Sequence, residues 1–173
     1  MLAMTLAGPG QAQETFVIPQ GEQRSGYRFG FFEGKKLTFK ARFDSTAIYK
    51  TQNPENQADC NKLYGFSDCG SFSHHQNSAR FGWRWFNDKL EILAYTYVNG
   101  ERQITFLTDV RLEQTYAYEI EWGAQVYIFR VNGVEKSVPR ACSGPPTWSA
   151  KLFPFFGGDE NAPHSIRIQL EEL

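Results

Sequence analysis

The sequence predicts an all-β protein built as an antiparallel β-sandwich. Apolar and polar residues alternate with a period of two in several short runs, and no helical periodicity continues for three turns. Asn-Gly pairs at 99–100 and 132–133 separate such runs, as is typical of type I′ hairpin turns. Aromatic residues make up 16% of the 173 residues, and flat rings are enriched in strands. A chain of this length fits one domain, which we place at residues 13–173.

The first twelve residues, MLAMTLAGPGQA, are apolar or small and carry no charged side chain. They resemble the end of a secretory signal peptide, with Gly10 and Ala12 at the two positions that a signal peptidase reads. We therefore interpret residues 1–12 as a signal-peptide remnant and expect a secreted or periplasmic protein. A native, loosely structured N-terminus is the alternative. No run approaches the ~20 apolar residues of a membrane span, so membrane insertion is not expected.

The alternation and the turn signals together define ten strands in chain order. They are predicted at residues 14–18, 27–32, 36–48, 79–86, 90–98, 101–108, 116–122, 125–131, 134–138 and 165–172. Two long irregular stretches, 50–78 and 139–164, interrupt them. Long loops of a β domain often carry ligand sites.

The turn positions also predict which residues face each other across neighbouring strands. A turn at Asn87-Asp88 places Trp83 opposite Ile92 and Arg80 opposite Tyr95. A turn at Gly123-Ala124 places Tyr118 opposite Phe129. The buried face of the first hairpin is then apolar, and its members are Phe81, Trp83, Trp85, Leu90 and Ile92.

The other face of that hairpin mixes charged and aromatic side chains. It carries Arg80, Arg84, Glu91, Leu93, Tyr95 and Tyr97, and it continues into Arg102 and Ile104. Charges that pair across strands beside two tyrosines are typical of a glycan-binding sheet. An ordinary solvated face with an ion pair and exposed tyrosines is the alternative.

Three cysteines, Cys60, Cys69 and Cys142, leave the pairing open, because an odd number cannot all form disulfides. We expect a Cys60–Cys69 disulfide around the polar, turn-rich segment DCNKLYGFSDCG, with Cys142 free or replacing either partner. Export would permit such a bond. No CxxC or HExxH spacing supports a zinc site from these cysteines and a histidine.

The run TYAYEIEWGAQVYIFRVNGVEKSVPR at residues 115–140 resembles the strand–turn–strand–turn–strand unit of concanavalin A-like jelly-roll domains. That superfamily includes lectins, laminin G-like modules, family-16 glucanases and several polysaccharide lyases. The resemblance implies a jelly-roll sandwich and leaves the activity open, since function resides in the site and not in the fold. It also implies a structural calcium near the chain ends, for which Asp159 and Glu160 in PFFGGDENAPH offer hard oxygen ligands. A β-turn with exposed acids is the favoured explanation of the same residues, so no cofactor is expected, and this calcium site is the alternative.

Composition and motifs exclude several function classes. The net charge is −1 with a pI near 6.3 and no basic block, which speaks against a nucleic-acid partner. Glycoside hydrolysis needs two carboxylates across the bond, yet Glu119 and Glu121 lie on the solvated face. A Gly-x-Ser-x-Gly nucleophile elbow is absent.

Three functions remain, of which binding a glycan or polysaccharide without catalysis demands the least. Aromatic rings stack on sugars and planar polar groups pair with hydroxyls. The candidate ligand-binding residues are Gln76, Asn77, Arg80, Arg84, Glu91, Tyr95, Tyr97, Arg102 and Trp148. Trp148 serves equally well as a lid over the core.

The alternative enzyme is a polysaccharide lyase acting by β-elimination on a uronate polymer. Such a lyase needs a group that neutralises the carboxylate, a base and an acid. His74, His75, Tyr95 and Arg80 could supply these groups, although the Gln-Ile-His and Tyr-Phe-Lys-Ala-Gly motifs of family-7 alginate lyases are absent. A non-catalytic adhesive or structural extracellular module is the third possibility.

Overall fold

The structure is a computed structural model that describes residues 12–173, and it consists of two antiparallel sheets that share one core. The strands are β1 (Glu14–Ile18), β2 (Lys36–Phe43), β3 (Asn61–Ser67), β4 (Ser78–Phe86), β5 (Lys89–Val98), β6 (Glu101–Val110), β7 (Thr115–Trp122), β8 (Val126–Val131), β9 (Val134–Pro139), β10 (Lys151–Leu152) and β11 (Ile166–Glu172). One sheet has the order β1-β11-β2-β7-β8-β9, and the other has the order β10-β3-β4-β5-β6. This architecture confirms the predicted all-β antiparallel sandwich.

The segment 1–12, interpreted as a signal-peptide remnant, lies outside the described residues apart from Ala12. Within residues 12–173, no helix is long and apolar enough to span a membrane. The helical structure that is described there consists of two short 3-10 turns, Ser45–Ala47 and Pro54–Ala58. The first of these turns ends the predicted strand 36–48 early, because the Asp44 side chain accepts a hydrogen bond from the Thr46 backbone and caps the turn.

The hairpin turns set most registers as the sequence predicts. Asn87 and Asp88 both have positive φ values, of 51° and 57°, which is the geometry of a type I′ turn. Trp83 pairs with Ile92 and Arg80 pairs with Tyr95, as expected.

The β7–β8 register was predicted wrongly by two residues. Tyr118 pairs with Val131 rather than Phe129, because the turn is centred on Ala124-Gln125, one residue later than predicted, with Gln125 at a φ of 62°. The Gly123 backbone donates to the Val126 carbonyl to close that turn. A shift of two preserves the side on which each residue points, so the predicted core face survives.

One predicted strand is largely irregular, and two strands lie in stretches that were predicted to be irregular. The segment 27–32, predicted as a strand, forms only an isolated bridge between Phe31 and Ala150. Strand β3 lies inside the stretch 50–78 that was predicted to be irregular. A register shift between Lys62 and Gly65 interrupts its period-two pattern, which removes the signal on which the prediction depends. The two-residue strand β10 was missed as well.

Aromatic side chains fill the space between the sheets. Phe39 on β2 stacks on Tyr118 with ring centroids 5.0 Å apart, and Phe81 on β4 meets Tyr118 edge-on at 5.0 Å. Trp83 is fully buried, as predicted. Burying each such ring contributes about 2–3 kcal/mol relative to leaving it exposed, so these rings hold β4 down on the core.

The disulfide joins Cys69 to Cys142, which corrects the expected Cys60–Cys69 pairing. Cys60 and Cys69 lie at opposite ends of β3, and seven extended residues span about 23 Å, far beyond disulfide reach. Cys60 is instead a buried free thiol over Gly82, where burial raises the pKa of the thiol to about 11. The Cys69–Cys142 bond is compatible with the secreted location that the N-terminus suggests.

Candidate functional site

The candidate site lies on the outer face of the five-stranded sheet, meaning the side that points away from the shared core. Because paired residues in an antiparallel ladder share a side, β3, β4, β5 and β6 contribute aligned rows to this face. One row runs Gly65, Arg80, Tyr95 and Ile104, and a neighbouring row runs Lys62, Gly82, Leu93 and Phe106. Both rows run across the strands.

Arg80 occupies the centre of the outer face and is only 4% exposed. One of its terminal nitrogens donates to the Phe153 carbonyl at 2.6 Å, while its Nε has no acceptor among the described residues. No carboxylate in the described part of the chain comes within 4.0 Å of it. Desolvation lowers the pKa of this guanidinium to about 10. A buried cation with so little compensation is costly for the protein.

Lys62 adds a second cation to the same face. Its ammonium lies 5.0 Å from the centroid of the Tyr95 ring, and burial lowers its pKa. The negative charge of Asp59 raises the Lys62 pKa from a distance, but Lys62 forms no ion pair within residues 12–173. Arg102, which pairs with Tyr97 across β5 and β6, is exposed. The outer face therefore concentrates positive charge that its own carboxylates leave unpaired.

Arg84 and Glu91, two predicted ligand-binding residues, satisfy each other. Arg84 Nε donates to Glu91 at 2.7 Å, and another nitrogen of Arg84 donates to the Ala58 carbonyl at 2.7 Å. The predicted cross-strand ion pair is thus present. Because the two charges already neutralise each other, this pair is less available to a charged ligand than Arg80 or Lys62.

The loop between β3 and β4 brings both histidines to the outer face. The Ser78 hydroxyl donates to the His74 carbonyl at 2.7 Å and holds the loop over β4. The His74 ring is half-buried, its Nδ1 lacks a partner among the described residues, and desolvation lowers its pKa to about 4. His75 is exposed, with its ring centroid 5.3 Å from that of Tyr97. Tyr95 lies 5.8 Å from Tyr97, and burial raises the pKa of the Tyr95 hydroxyl.

A cleft of about 210 Å³ opens beside Arg80 and His74. Its wall includes Arg24, Tyr27, Leu152 and Phe155. Lys62, Arg24 and Tyr27 were absent from the predicted site. Lys62 could not be assigned without β3, and Arg24 comes near β3 only through bridges at Phe155. The cleft is open to solvent, and cationic side chains stand among its largely apolar lining.

Gln76 and Asn77 stabilise the loop and the neighbouring hairpin. The Asn77 side chain accepts from the Asn99 backbone at 2.8 Å, and the Gln76 carbonyl accepts from the Gly100 backbone at 2.8 Å. Asn77 is buried, whereas the Gln76 side chain is exposed. Of the two, only Gln76 is placed to contact a ligand.

The acids of the calcium hypothesis lie on a different loop from the histidines. Glu160 accepts hydrogen bonds from the Gln52 and Asn53 backbones at 2.7 and 2.9 Å and from the Asn56 amide at 2.9 Å. The backbone donor of Asn53, followed by that of Gln52, lowers the Glu160 pKa. Asp159 is exposed. These donors give Glu160 a loop-closing role, and calcium binding stays a prediction.

The fold matches solved structures of carbohydrate-active proteins. The structure of alginate lyase AlyC3 gives a TM-score of 0.53 at 11% identity, covering 90% of this chain and 71% of that chain. LamAcat from Zobellia galactanivorans gives 0.51 at 9% identity, with 82% and 64% covered. SCLam, a non-specific endo-beta-1,3(4)-glucanase from family GH16, gives 0.50 at 9% identity, with 83% and 58% covered.

This chain has the concanavalin A-like jelly-roll fold. The resemblance drawn from residues 115–140 is confirmed at that level, and no specific family is identified. No family model matches the chain, and no curated protein matches it. The chain spans 58% of the length of the SCLam structure and 64% of LamAcat. At these identities the likeness shows the fold alone.

Proposed function

We propose that this protein binds an acidic polysaccharide across the outer face of its five-stranded sheet. The observation that carries the proposal is Arg80, a buried guanidinium without a carboxylate partner among the described residues. Its cost is offset if a ligand supplies the anion, because a charge-assisted hydrogen bond is worth about 1.5–3 kcal/mol. A uronate carboxylate has the planar geometry that a guanidinium recognises.

The surroundings of Arg80 favour a sugar polymer over a free anion. The row that contains Arg80 crosses the sheet from Gly65 to Ile104, so it suits an extended ligand lying across the strands. Tyr97 is partly exposed and offers a ring and a hydroxyl for stacking and hydrogen bonding, whereas Tyr95 is buried beneath it and supports its ring. An alginate lyase and glucanases share this fold, so a polysaccharide ligand is consistent with the architecture.

The binding test compares uronate polymers with a neutral polymer. We expect affinity gels containing alginate, glucuronan or polygalacturonate to retard the protein, with retardation falling as salt rises, and a neutral β-glucan gel to have little effect. Lys62→Gln should weaken binding about tenfold or more. Lys40→Gln removes the same charge from an exposed site on the other sheet, so it should bind like the wild type.

Arg80→Met separates a binding role from a structural one. Removing a buried, unpaired cation should leave the free energy of unfolding within about 1 kcal/mol of the wild type, or raise it. The same change should abolish retention on the uronate gels. Equal retention of wild type and Arg80→Met, or retention on neutral glucan alone, would overturn the proposal.

A second candidate function is uronate cleavage by β-elimination, which the position of His74 beside Arg80 in the cleft favours. With a pKa near 4, His74 is unprotonated at neutral pH and beside Arg80 in the cleft. It could accept the C5 proton while the C4–oxygen bond breaks and the hydroxyl of Tyr27, which lines the same cleft, protonates the leaving oxygen. The product has a C4–C5 double bond that absorbs near ~235 nm. If the absorbance stays flat on every uronate polymer that the folded protein binds, the lyase proposal is refuted and only the binding proposal remains.

A further inference from the structure

Four aromatic rings stand exposed together beside the short strand β10. They are Phe29, Phe31, Phe72 and Trp148, which are 72%, 49%, 51% and 68% exposed. Successive ring centroids are 4.9 Å apart from Phe29 to Phe31, 6.2 Å from Phe31 to Phe72 and 5.9 Å from Phe72 to Trp148. We call these four side chains the aromatic platform. A contiguous exposed apolar patch of this kind marks an interaction site more often than a scattered ring does.

The fold keeps the aromatic platform exposed to solvent. Phe32, the neighbour of Phe31, is buried and stacks on Phe66 with centroids 4.1 Å apart, and its backbone donates to the Ser149 carbonyl. The loops that carry Phe72 and Trp148 are joined by the Cys69–Cys142 disulfide. The rings therefore contribute little to folding through their own burial and stay accessible.

The platform lies on the same side of the sheet as Arg80. Phe31 pairs with Ala150, and Leu152, two residues further along, pairs with Gly65 in the Arg80 row. Because side chains alternate along an extended chain, Phe31 points outward where Phe32 points into the core. From Phe31, the neighbouring strands in order are β10, β3 and β4. Each is about 4.8 Å from the next, so Phe31 lies about 14 Å from the strand that carries Arg80.

The chemistry of the platform differs from that of the cleft. Its chain neighbours Gly30, Ser71 and Thr147 are uncharged, and the one adjacent charge, Arg28 before Phe29, is paired with Glu14. Flat apolar rings with small polar neighbours match the C–H face of a sugar ring. A second copy of this chain is a poor occupant, because four partly exposed rings offer only a few hundred Å², below the ~800 Å² per partner of a standard interface.

We propose that the aromatic platform is a second subsite that stacks on a sugar unit of the same polysaccharide whose carboxylate lies at Arg80. This inference rests on the proposed function. It predicts that ligand length matters, since a short oligosaccharide reaches the cleft alone and a longer one also reaches the platform.

The test measures the affinity of alginate oligosaccharides by calorimetry on the full chain. We expect the wild type to bind an octasaccharide at least tenfold more tightly than a disaccharide. Trp148→Ala and Phe31→Ala should each remove most of that difference and leave the disaccharide affinity unchanged. Val126→Ala removes an exposed apolar side chain from the other sheet and should keep the full difference. The octasaccharide should also change tryptophan fluorescence in the wild type and not in Trp148→Ala.

The outcomes separate this inference from the proposed function. Binding of both oligosaccharides that is indifferent to Trp148→Ala and Phe31→Ala overturns the platform subsite and leaves the Arg80 site standing. Absence of retention on every uronate gel overturns the proposed function and the subsite with it. A dimer in light scattering that dissociates in Trp148→Ala, with unchanged octasaccharide affinity, assigns the platform to a second copy and refutes the subsite.

Discussion

The buried ion pair between Asp68 and Arg140 should be the most sensitive polar contact for stability. Both side chains are fully buried, and Asp68 accepts from Arg140 at 2.6 and 3.1 Å and from the Tyr127 hydroxyl at 2.7 Å. Asp68→Asn keeps the size of the side chain and removes its charge, which leaves the Arg140 guanidinium buried without a counter-ion. Breaking one partner of such a pair costs about 3–5 kcal/mol.

Arg140 retains two backbone acceptors, the Gly123 and Gly144 carbonyls at 2.9 and 2.7 Å, so we expect the lower end of that range. A loss of about 3 kcal/mol corresponds to a fall in Tm of about 6–12 °C for a chain of this size. Urea unfolding followed by circular dichroism measures it.

Two variants make the Asp68 test specific. Asp109→Asn breaks an exposed pair with Lys89, and it should cost less than about 1 kcal/mol. Arg140→Met added to Asp68→Asn should recover much of the loss, because a buried pair replaced by apolar groups is often neutral. A loss below about 1 kcal/mol for Asp68→Asn would refute the reasoning that the Arg140 charge needs this partner.

Two further predictions concern the loops that flank the cleft. The Cys69–Cys142 disulfide closes a separation of 73 residues, so Cys142→Ser should lower the free energy of unfolding by about 2–4 kcal/mol, and an equal unfolding midpoint with and without the bond would contradict this. The depressed His74 pKa, about 4 against an ordinary 6.5, means that the unfolded chain binds more protons than the folded chain between those values, so stability should fall as pH drops from 6.5 to 4. The full shift corresponds to about 3 kcal/mol, which solvent screening of a half-buried ring reduces to about 1 kcal/mol. His74→Gln should flatten this dependence relative to His75→Gln, and equal pH profiles for the two variants would count against it.

Turn chemistry explains why the sequence predicts the centre of the candidate site. Asn87 and Asp88 tolerate positive φ, so they locate the turn to the residue and thereby align Arg80 with Tyr95 along the hairpin. The Gly123 turn lacks that precision, since it places Gln125 at a positive φ and nothing in a glutamine signals this conformation. The error there was two residues, which moved the pairing and kept the faces.

The part of the site that β3 contributes could not be predicted from the sequence, because it depends on contacts between distant segments. Lys62 reaches the outer face through β3, whose alternation is broken by the shift before Gly65. An ideal Cβ at Gly65 would lie 2.1 Å from the Ala79 carbonyl, so the glycine serves close strand approach rather than a turn. The correct disulfide required knowing that β3 is extended between Cys60 and Cys69, which the same missed strand concealed.

The two sheets differ in how the protein balances the charge of their arginines. On the six-stranded sheet, Arg130 contacts Glu119, Glu121 and Glu135, so its charge is balanced by the protein itself. On the outer face of the five-stranded sheet, Arg80 is more deeply buried and has no carboxylate among the described residues. Desolvation makes the second arrangement the more expensive of the two, and a purely adhesive or structural module would gain nothing from it. An anionic ligand at Arg80 would supply the missing balance, and for that reason we propose binding of an acidic polysaccharide rather than a role without a ligand.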